Sequence, residues 1–273
     1  MGRRALTFPL VPRRRVSGAP FGSMRSVRRG IGTEVSSTRP YRPGDDIRSI
    51  DRFASARASA ASGRDEYVVR ERYADEAARV TIVADGSPSM ALFPPELPWL
   101  HKPQAVAEAA ALIEASARRA RCPARLLEGD RVTRALDELG RRSTTGTGSF
   151  VFVLSDFLDP PPAAVLRRML ARGWDLVPVV TQDPRWEQSF PAVAGAVLPL
   201  VDPAGGKRRH VRVRRADADA RRLANERRLA GLQAGFKGLG IDPVLLSSHE
   251  PAAILDAFLA WATRRSRIRR WAA

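Results

Sequence analysis

The stretch of residues 79–90, RVTIVADGSPSM, constrains the fold more than any other part of the chain. It begins with a short apolar run that includes Val80, Ile82 and Val83, and such β-branched runs are typical of strands buried on both faces of a parallel sheet. An oxygen-rich loop, DGSPS at residues 85–89, follows the run directly. Because open α/β sheets bind ligands at the carboxyl ends of their strands, this loop is predicted to lie at a ligand-binding edge.

A second strand of the same kind is predicted at residues 150–154 (FVFVL), and it ends in Ser155 and Asp156. The carboxyl ends of neighbouring parallel strands meet at one edge, so Asp85 and Asp156 are expected to lie close together. Strand-like and helix-like segments alternate from residue 79 to the end of the chain. This alternation predicts an α/β fold with a doubly wound, mostly parallel sheet of the Rossmann type.

The loop after the first strand carries a carboxylate, from Asp85, and two hydroxyls, from Ser87 and Ser89, at alternating positions. A tight turn could direct these oxygen groups to one point. Hard oxygen donors are the ligands that Mg²⁺ prefers, but these donors leave its octahedral shell incomplete, and Asp156 is the obvious further ligand. A structural alternative is that such side chains only cap the following helix.

This DxSxS pattern resembles the metal-ion-dependent adhesion site (MIDAS) of von Willebrand factor A-like domains. In that family, a threonine from a second loop and an aspartate from a third loop complete the site. The resemblance therefore implies a site for Mg²⁺, or another hard divalent cation such as Mn²⁺, that a partner's carboxylate completes. It assigns the aspartate to Asp156 and favours Thr133, just before a predicted helix at residues 134–142, as the threonine; the alternatives are Thr144, Thr145 and Thr147.

Residues 30–57, GIGTEVSSTRPYRPGDDIRSIDRFASAR, form a second informative stretch. Pro43 and Gly44 predict a turn, and Asp45 or Asp46 is placed to cap a short helical segment after it. Opposite charges crowd around this turn, which suggests a fixed network of charge-assisted hydrogen bonds. The positions that define the stretch are Arg39, Tyr41, Gly44, Asp45, Asp46, Arg48, Asp51 and Arg57.

This second stretch resembles the signature of a bacterial family called domain of unknown function 58 (DUF58), which reads approximately GxGxEF…RxYxxGDDxRxIDWxxSAR and precedes a von Willebrand A-like domain. The chain differs at Arg52, where the family usually has tryptophan. The resemblance implies a non-catalytic protein interaction module, because the family is associated with MoxR-type AAA+ ATPases as an adaptor or substrate-presenting component. Other proteins that offer an acidic ligand are further candidate partners.

These patterns divide the chain into three parts. Residues 1–20 are predicted to be a flexible basic N-terminus, because prolines and glycine occur there among arginines. Residues 21–78 are predicted to form an elaboration with β-strands that carries the family signature. Residues 79–273 are predicted to form the von Willebrand A-like domain, with basic helices near its end.

The net charge of +17 raises the alternative of a nucleic-acid-binding protein. Arginines concentrate in residues 1–30, 207–228 and 264–270, and the remainder of the chain is slightly acidic. Such clusters can follow phosphates, but aromatic side chains do not interleave with them as base stacking requires. Only three of the 46 basic residues are lysine, which indicates a compositional preference for arginine rather than a dedicated nucleic-acid surface.

A phosphatase with Asp85 as its nucleophile is a weaker alternative. Haloacid-dehalogenase-like phosphatases carry a second carboxylate two residues later, and Ser87 stands there instead, which removes the usual general acid. No enzyme activity is expected. The single cysteine, Cys122, and the lack of any apolar run of about 18 residues predict a cytoplasmic protein without a membrane span.

Overall fold

The structure of the chain is a computed structural model, which describes residues 6–14, 16, 19–29, 35–91, 100–142, 147–202 and 207–271. Thr144 and Thr145, as well as the first glycines of the predicted signature, lie outside these residues. The strands and helices follow the order β1 (Ala19–Arg29), β2 (Val35–Pro40), α1 (Arg52–Ser62), β3 (Val68–Ala77), β4 (Val80–Asp85), α2 (Lys102–Arg119), β5 (Ala124–Gly129), α3 (Val132–Arg142), β6 (Phe150–Ser155), α4 (Ala163–Ala171), β7 (Asp175–Thr181), β8 (Val197–Val201), β9 (Arg208–Arg212), α5 (Arg215–Gly238), β10 (Val244–Leu246) and α6 (Pro251–Trp271).

Five parallel strands form the central sheet, in the order β10-β7-β6-β4-β5. The chain runs from β4 outward to β5 and then returns to β6 on the other side of β4. This reversal creates a topological switch point between β4 and β6, where doubly wound sheets bind ligands. The predicted α/β fold with a doubly wound parallel sheet is confirmed.

Helices cover both faces of this sheet, because alternate side chains of a strand project to opposite sides. Ile82 and Phe152 face one side, where they pack with α2 and α6. Val83 and Val153 face the other side, where they pack with α3, α4 and α5. Every residue of β6 and β7 is buried, as expected for strands between two helical layers.

The N-terminal segment that includes residues 6–14 packs against this core. Phe8 and Val16 are buried in the cluster that also contains Phe258 of α6. The Phe8 ring stacks on the Phe258 ring at a centroid distance of 4.6 Å, and the Phe8 N–H donates to Ser116 Oγ at 3.0 Å. Apolar side chains therefore anchor the described part of this segment, whereas the flexibility predicted for residues 1–20 stays a prediction.

The part of the chain before β4 contains a three-stranded antiparallel sheet in the order β1-β3-β2. The β-strands predicted between residues 21 and 78 are therefore present. Gly44 lies in the predicted turn after β2, and its φ of +101° is a conformation that glycine adopts without strain. Among the described residues of the whole chain, no helix combines the length and hydropathy that spanning a bilayer requires.

The predicted charge network around this turn is present for Arg39, Asp45 and Asp51. The Arg39 guanidinium donates to both Asp45 carboxylate oxygens at 2.7 Å and to Glu71 Oε1 at 2.9 Å. Asp51 accepts from Arg70 Nε at 2.8 Å and caps α1. Arg70 and Glu71 could not be identified from the sequence, because only the antiparallel pairing of β3 with β2 brings them to the turn.

The other signature residues support the backbone or face solvent. Asp46 accepts from the Arg48 N–H at 2.9 Å and caps a short 3-10 helix. The Tyr41 N–H donates to Tyr67 O at 2.7 Å. The side chains of Arg48 and Arg57 are exposed. The signature thus maintains the local fold of the segment that precedes the central sheet.

This network should persist well below the ordinary pKa of an aspartate. Arg39 lowers the pKa of Asp45 to about 2, and Arg70 lowers the pKa of Asp51 to about 2. A lowered folded-state pKa contributes stability that is present above the unfolded pKa of about 4 and is lost as the pH falls towards about 2. Carboxyl-carbon NMR titration measures both values, and Arg39→Gln should raise the pKa of Asp45 and leave that of Asp51 unchanged. Wild-type midpoints near about 4 for both carboxyls would contradict this prediction.

Candidate functional site

The candidate site lies at the carboxyl edge of the central sheet, at the switch point between β4 and β6. Asp85 is the last residue of β4, and Gly86 turns the chain towards the end of β5. The Gly86 N–H donates to Gly129 O at 2.8 Å, and a Cβ at position 86 would lie 3.1 Å from that oxygen. Glycine therefore lets the loop of residues 85–89 approach the turn before α3 closely.

Two donors hold the Asp85 carboxylate. Its Oδ1 accepts from the Ser87 N–H at 2.9 Å, and its Oδ2 accepts from Ser155 Oγ at 2.5 Å. The Ser87 and Ser89 hydroxyls lie 3.1 Å apart. The structure thus brings the three predicted residues into one hydrogen-bonded loop, and each carboxylate oxygen keeps a lone pair for a further contact.

Strand register decides which residue of β6 meets Asp85. Ala84 pairs with Leu154 in the parallel ladder, so Asp85 is level with Ser155. Because side chains alternate across a strand, the next residue, Asp156, projects towards the opposite helical layer, which contains α2. Asp85 and Asp156 share an edge of the sheet as predicted, but among the described residues they share no hydrogen-bond partner.

Asp156 forms a buried ion pair with Lys102. Lys102 Nζ lies 2.9 Å from Asp156 Oδ2, and the two side chains are only 1% and 2% exposed. Asp156 Oδ1 accepts from the Leu158 N–H at 3.0 Å. Lys102 also donates to Ser89 O at 2.9 Å and to Glu187 Oε1 at 2.5 Å. One ammonium group therefore joins the loops that follow β4, β6 and β7.

Glu187 belongs to a buried polar wall beside this pair. Burial raises the pKa of its carboxyl, and the nearby Lys102 ammonium opposes that increase. Glu187 Oε2 accepts from the Asp183 N–H at 2.8 Å, and Arg228 Nη2 donates to the Glu187 carbonyl at 2.5 Å. Two basic groups, Lys102 of α2 and Arg228 of α5, therefore accompany the carboxylates of Asp156 and Glu187 at this edge of the sheet.

Sequence reasoning missed Lys102 and Glu187. The residue type alone could have drawn attention to Lys102, because nearly every other basic residue of this chain is arginine. A compact ammonium on a flexible stem fits a narrow buried position in which a planar guanidinium needs more room. Glu187 offered no comparable signal, because 85 positions separate it from its partner in the sequence.

Thr133 lies in the first turn of α3, which begins at Val132, so the predicted helix start at residue 134 is two residues late. The helix packs on the same side of the sheet as Val83, which is also the Asp85 side. The Thr133 hydroxyl is half-buried and has no hydrogen-bond partner within the described part of the chain. Thr133 therefore stays a predicted ligand.

Thr147 is unsuitable as the alternative threonine. It precedes β6, and its side chain lies against Gly173, just before β7 begins. Both positions are at the amino edge of the parallel sheet. Thr147 is therefore separated from Asp85 by the length of a strand.

Cys122 and two of the histidines have structural surroundings. Burial raises the pKa of the Cys122 thiol to about 11, which keeps it protonated at neutral pH. His101 caps α2 by accepting from the Gln104 N–H at 3.3 Å. His249 Nδ1 accepts from the His101 N–H at 3.2 Å, so this contact joins α2 to the loop before α6.

These residues fit a hard cation only in part. Within the described ranges, no three His, Cys, Asp or Glu side chains converge in a way that could hold a metal ion. The Asp85 loop offers one carboxylate together with serine hydroxyls, which suits Mg²⁺ in kind but leaves its shell incomplete. Asp156, the second predicted carboxylate, is already paired with Lys102.

Residues 37–127 match the family model described as Protein of unknown function DUF58. This segment of the chain matches DUF58. The match supports the relationship that the signature predicted, and the DUF58 segment contains the charge network, the Asp85 loop and Lys102. Asp156 and Glu187 lie beyond it. Comparisons with curated proteins and with solved structures gave no match.

The arginine clusters serve more than one purpose. Arg265, in the cluster near the C-terminus, forms a buried ion pair with Asp175 at 2.8 Å, so its charge maintains the fold. The arginines of β9, in contrast, are exposed along the strand. Part of the basic charge is therefore structural, and part of it faces solvent.

Proposed function

We propose that this chain is a non-catalytic interaction module, which binds a carboxylate of a partner protein at the carboxyl edge of its parallel sheet with a divalent cation. One observation carries this proposal: Asp85, Ser87 and Ser89 form an oxygen-rich loop at the switch point of the sheet. Open α/β sheets bind their ligands at this position.

Asp85, Ser87, Ser89 and Thr133 are the residues that would hold the cation, Mg²⁺ or Mn²⁺. Asp85 contributes the negative charge, and the hydroxyls contribute neutral oxygen ligands. The bound cation would supply the positive charge that attracts the partner's carboxylate. The chain itself orients the loop, because Ser155 holds the Asp85 carboxylate at 2.5 Å.

A cleft beside Thr133 offers a partner a route to this edge. It has a volume of about 690 Å³ and lies between α3 and residues 159–162. Arg131 and Arg141 line the cleft and form no ion pair with any described residue. Three arginines and three acidic residues line the cleft in all, so its charges balance and the cleft itself does not select an acidic partner.

The partner that we propose is a MoxR-type AAA+ ATPase, for which the chain would act as a cytoplasmic adaptor. The support for this partner is the resemblance to DUF58, together with the family match over residues 37–127. Other proteins that present an acidic side chain are compatible with the same chemistry.

The surroundings of the aspartates favour binding over phosphoryl transfer. A phosphatase with Asp85 as nucleophile needs a second acidic group to protonate the leaving group. Asp156 is the candidate at the end of the neighbouring strand β6, and its carboxylate is buried against Lys102 and the Leu158 N–H. A group held in this way is not free to approach a substrate.

Asp85→Asn should weaken capture of a MoxR-type ATPase in Mg²⁺ by about tenfold or more, because the loop of residues 85–89 loses its one carboxylate. The measurement is a pull-down or surface plasmon resonance titration in Mg²⁺ and in chelator. Asp65→Asn is the matched control, since it removes the same charge from an exposed residue in the loop before β3, outside the cleft.

Equal capture in Mg²⁺ and in chelator would refute the cation's role. Capture of DNA that falls steeply with salt and is unchanged by Asp85→Asn would favour the nucleic-acid alternative, in which the exposed arginines of β9 make the contacts.

A further inference from the structure

The chain places a positive charge of its own at the site, the ammonium group of Lys102. Its ammonium group contacts Asp156, Glu187 and the carbonyl of Ser89, and these three acceptors match the three N–H donors of a lysine. The side chains of the three charged residues are between 1% and 6% exposed. Water therefore contributes little to screening the charges.

We infer that Lys102 takes Asp156 out of the divalent-cation site and thereby makes cation binding depend on the partner's carboxylate. This inference rests on the proposed function and names the regulation of the same site. It departs from the ligand set that the MIDAS resemblance implies, in which Asp156 is a ligand.

The Lys102 ammonium opposes the binding of a divalent cation at Asp156 electrostatically. A divalent cation on Asp156 would share one carboxylate with an ammonium group that lies 2.9 Å from Oδ2. Two positive charges that share one carboxylate are held close together and repel strongly in a site shielded from water. Asp156 is therefore a poor direct ligand while Lys102 is charged.

Asp85 and Asp156 also project to opposite sides of the sheet. Asp85 and Thr133 lie on the side of α3, whereas Asp156 projects towards the layer that contains Lys102 and α2. A cation held by the loop of residues 85–89 on the α3 side meets one carboxylate of that loop, Asp85. Because ligand charge tunes the affinity for hard cations, such a site binds Mg²⁺ weakly until a partner adds a second carboxylate.

Lys102 also holds the loop of residues 85–89 in its shape. Lys102 donates to Ser89 O at 2.9 Å, so the loop that presents Ser87 and Ser89 is held by a contact that needs no divalent cation. The site is therefore formed before the cation binds. Partner and cation then bind to it together, and each raises the affinity for the other.

The test measures Mn²⁺ binding to the free protein by electron paramagnetic resonance. Asp156→Asn should keep the wild-type affinity within about twofold, because an amide oxygen still accepts from Lys102 and Asp156 is not a ligand. Asp85→Asn should abolish the binding. Lys102→Met should bind Mn²⁺ about tenfold more tightly than wild type, because Asp156 and Glu187 then lose their shared ammonium and can hold a cation in its place.

Lys102→Met should also acquire a thermal stability that rises with Mg²⁺ concentration, because the cation then replaces the missing ammonium. Adding Asp156→Asn to this variant should remove the effect. A role of Lys102 in packing alone predicts no such gain. If Lys102→Met does not fold, the comparison of Asp156→Asn with Asp85→Asn decides the question.

Equal loss of Mn²⁺ binding in Asp156→Asn and Asp85→Asn would overturn the inference and leave the proposed function in place. Tight binding of Mn²⁺ to the free wild-type protein, with a Kd of about 10 μM or below, would overturn it as well. If the proposed function itself is wrong, no variant binds Mn²⁺, and chelator does not affect capture of the ATPase.

Discussion

Arg265→Met is expected to lower the free energy of unfolding by about 3–5 kcal/mol, because it leaves the Asp175 carboxylate buried without its ionic partner. Arg265 Nη1 lies 2.8 Å from Asp175 Oδ2, and both side chains are 3% exposed. The guanidinium also lies 4.3 Å from the centre of the Trp261 ring. Methionine preserves much of the apolar stem but none of the charge.

The ion pair also fixes the N-terminal segment. Arg265 Nη1 donates to Val11 O at 3.3 Å, and Asp175 Oδ2 accepts from the Arg13 N–H at 2.9 Å. Several atoms of the pair, including Asp175 Oδ1 and Arg265 Nη2, lack a hydrogen-bond partner in the described structure. Such a pair is costly to break from one side and less costly to remove entirely.

Denaturant unfolding followed by circular dichroism measures this effect. Arg264→Met is the matched control: the neighbouring arginine is 51% exposed, and its change should stay below about 1 kcal/mol. Adding Asp175→Asn to Arg265→Met should recover most of the loss. A loss below about 1 kcal/mol for Arg265→Met alone would show that the pair does not stabilise the fold.

Phe8→Ala is expected to cost about 3–5 kcal/mol, although Phe8 lies in a segment that composition marks as flexible. Its side chain is 3% exposed and belongs to the core cluster on the α2 and α6 side of the sheet. The ring stacks on Phe258 and meets Trp261 edge-on at a centroid distance of 5.9 Å. Truncation removes these contacts and leaves a cavity.

Leu6→Ala is the control for this second experiment, since Leu6 is 52% exposed in the same segment and its truncation should cost about 0.5 kcal/mol or less. Equal effects of the two substitutions would indicate that the segment is not docked. Protease digestion gives an independent readout, because an undocked segment is cleaved early in Phe8→Ala.

The position of the site could be predicted from the sequence because a buried parallel strand is a short apolar run with a visible end. Asp85 directly follows one such run, and Asp156 follows the second run after Ser155. Parallel strands that share a sheet must bring these ends to one edge. The prediction needed no knowledge of which helices cover the sheet.

The surroundings of each aspartate could not be predicted in this way. A register difference of one residue decides whether Asp85 faces Ser155 or Asp156, and side-chain alternation then sends the two to opposite layers. Lys102 reaches Glu187 across 85 positions of the sequence, a distance over which no periodic pattern carries information. The assignment of the ligands therefore depended on tertiary structure.

The N-terminal segment shows the same division. Its prolines and arginines predict a flexible lead-in, and a single Phe8 among them does not alter that pattern. Phe8 is buried because Phe152 of β6 and Phe258 and Trp261 of α6 enclose its ring. Enclosure of this kind depends on side chains that only the folded chain brings together.

The sequence by itself determined the α/β class, the edge of the sheet at which the oxygen-rich loop lies, and the resemblance of residues 37–127 to DUF58. These features are local, because they depend on runs, turns and caps of neighbouring residues. Tertiary structure alone decided the balance of charge at that edge. The reason is that the charge on Asp156 is compensated by Lys102 of α2, a residue that folding, rather than sequence proximity, brings within 2.9 Å.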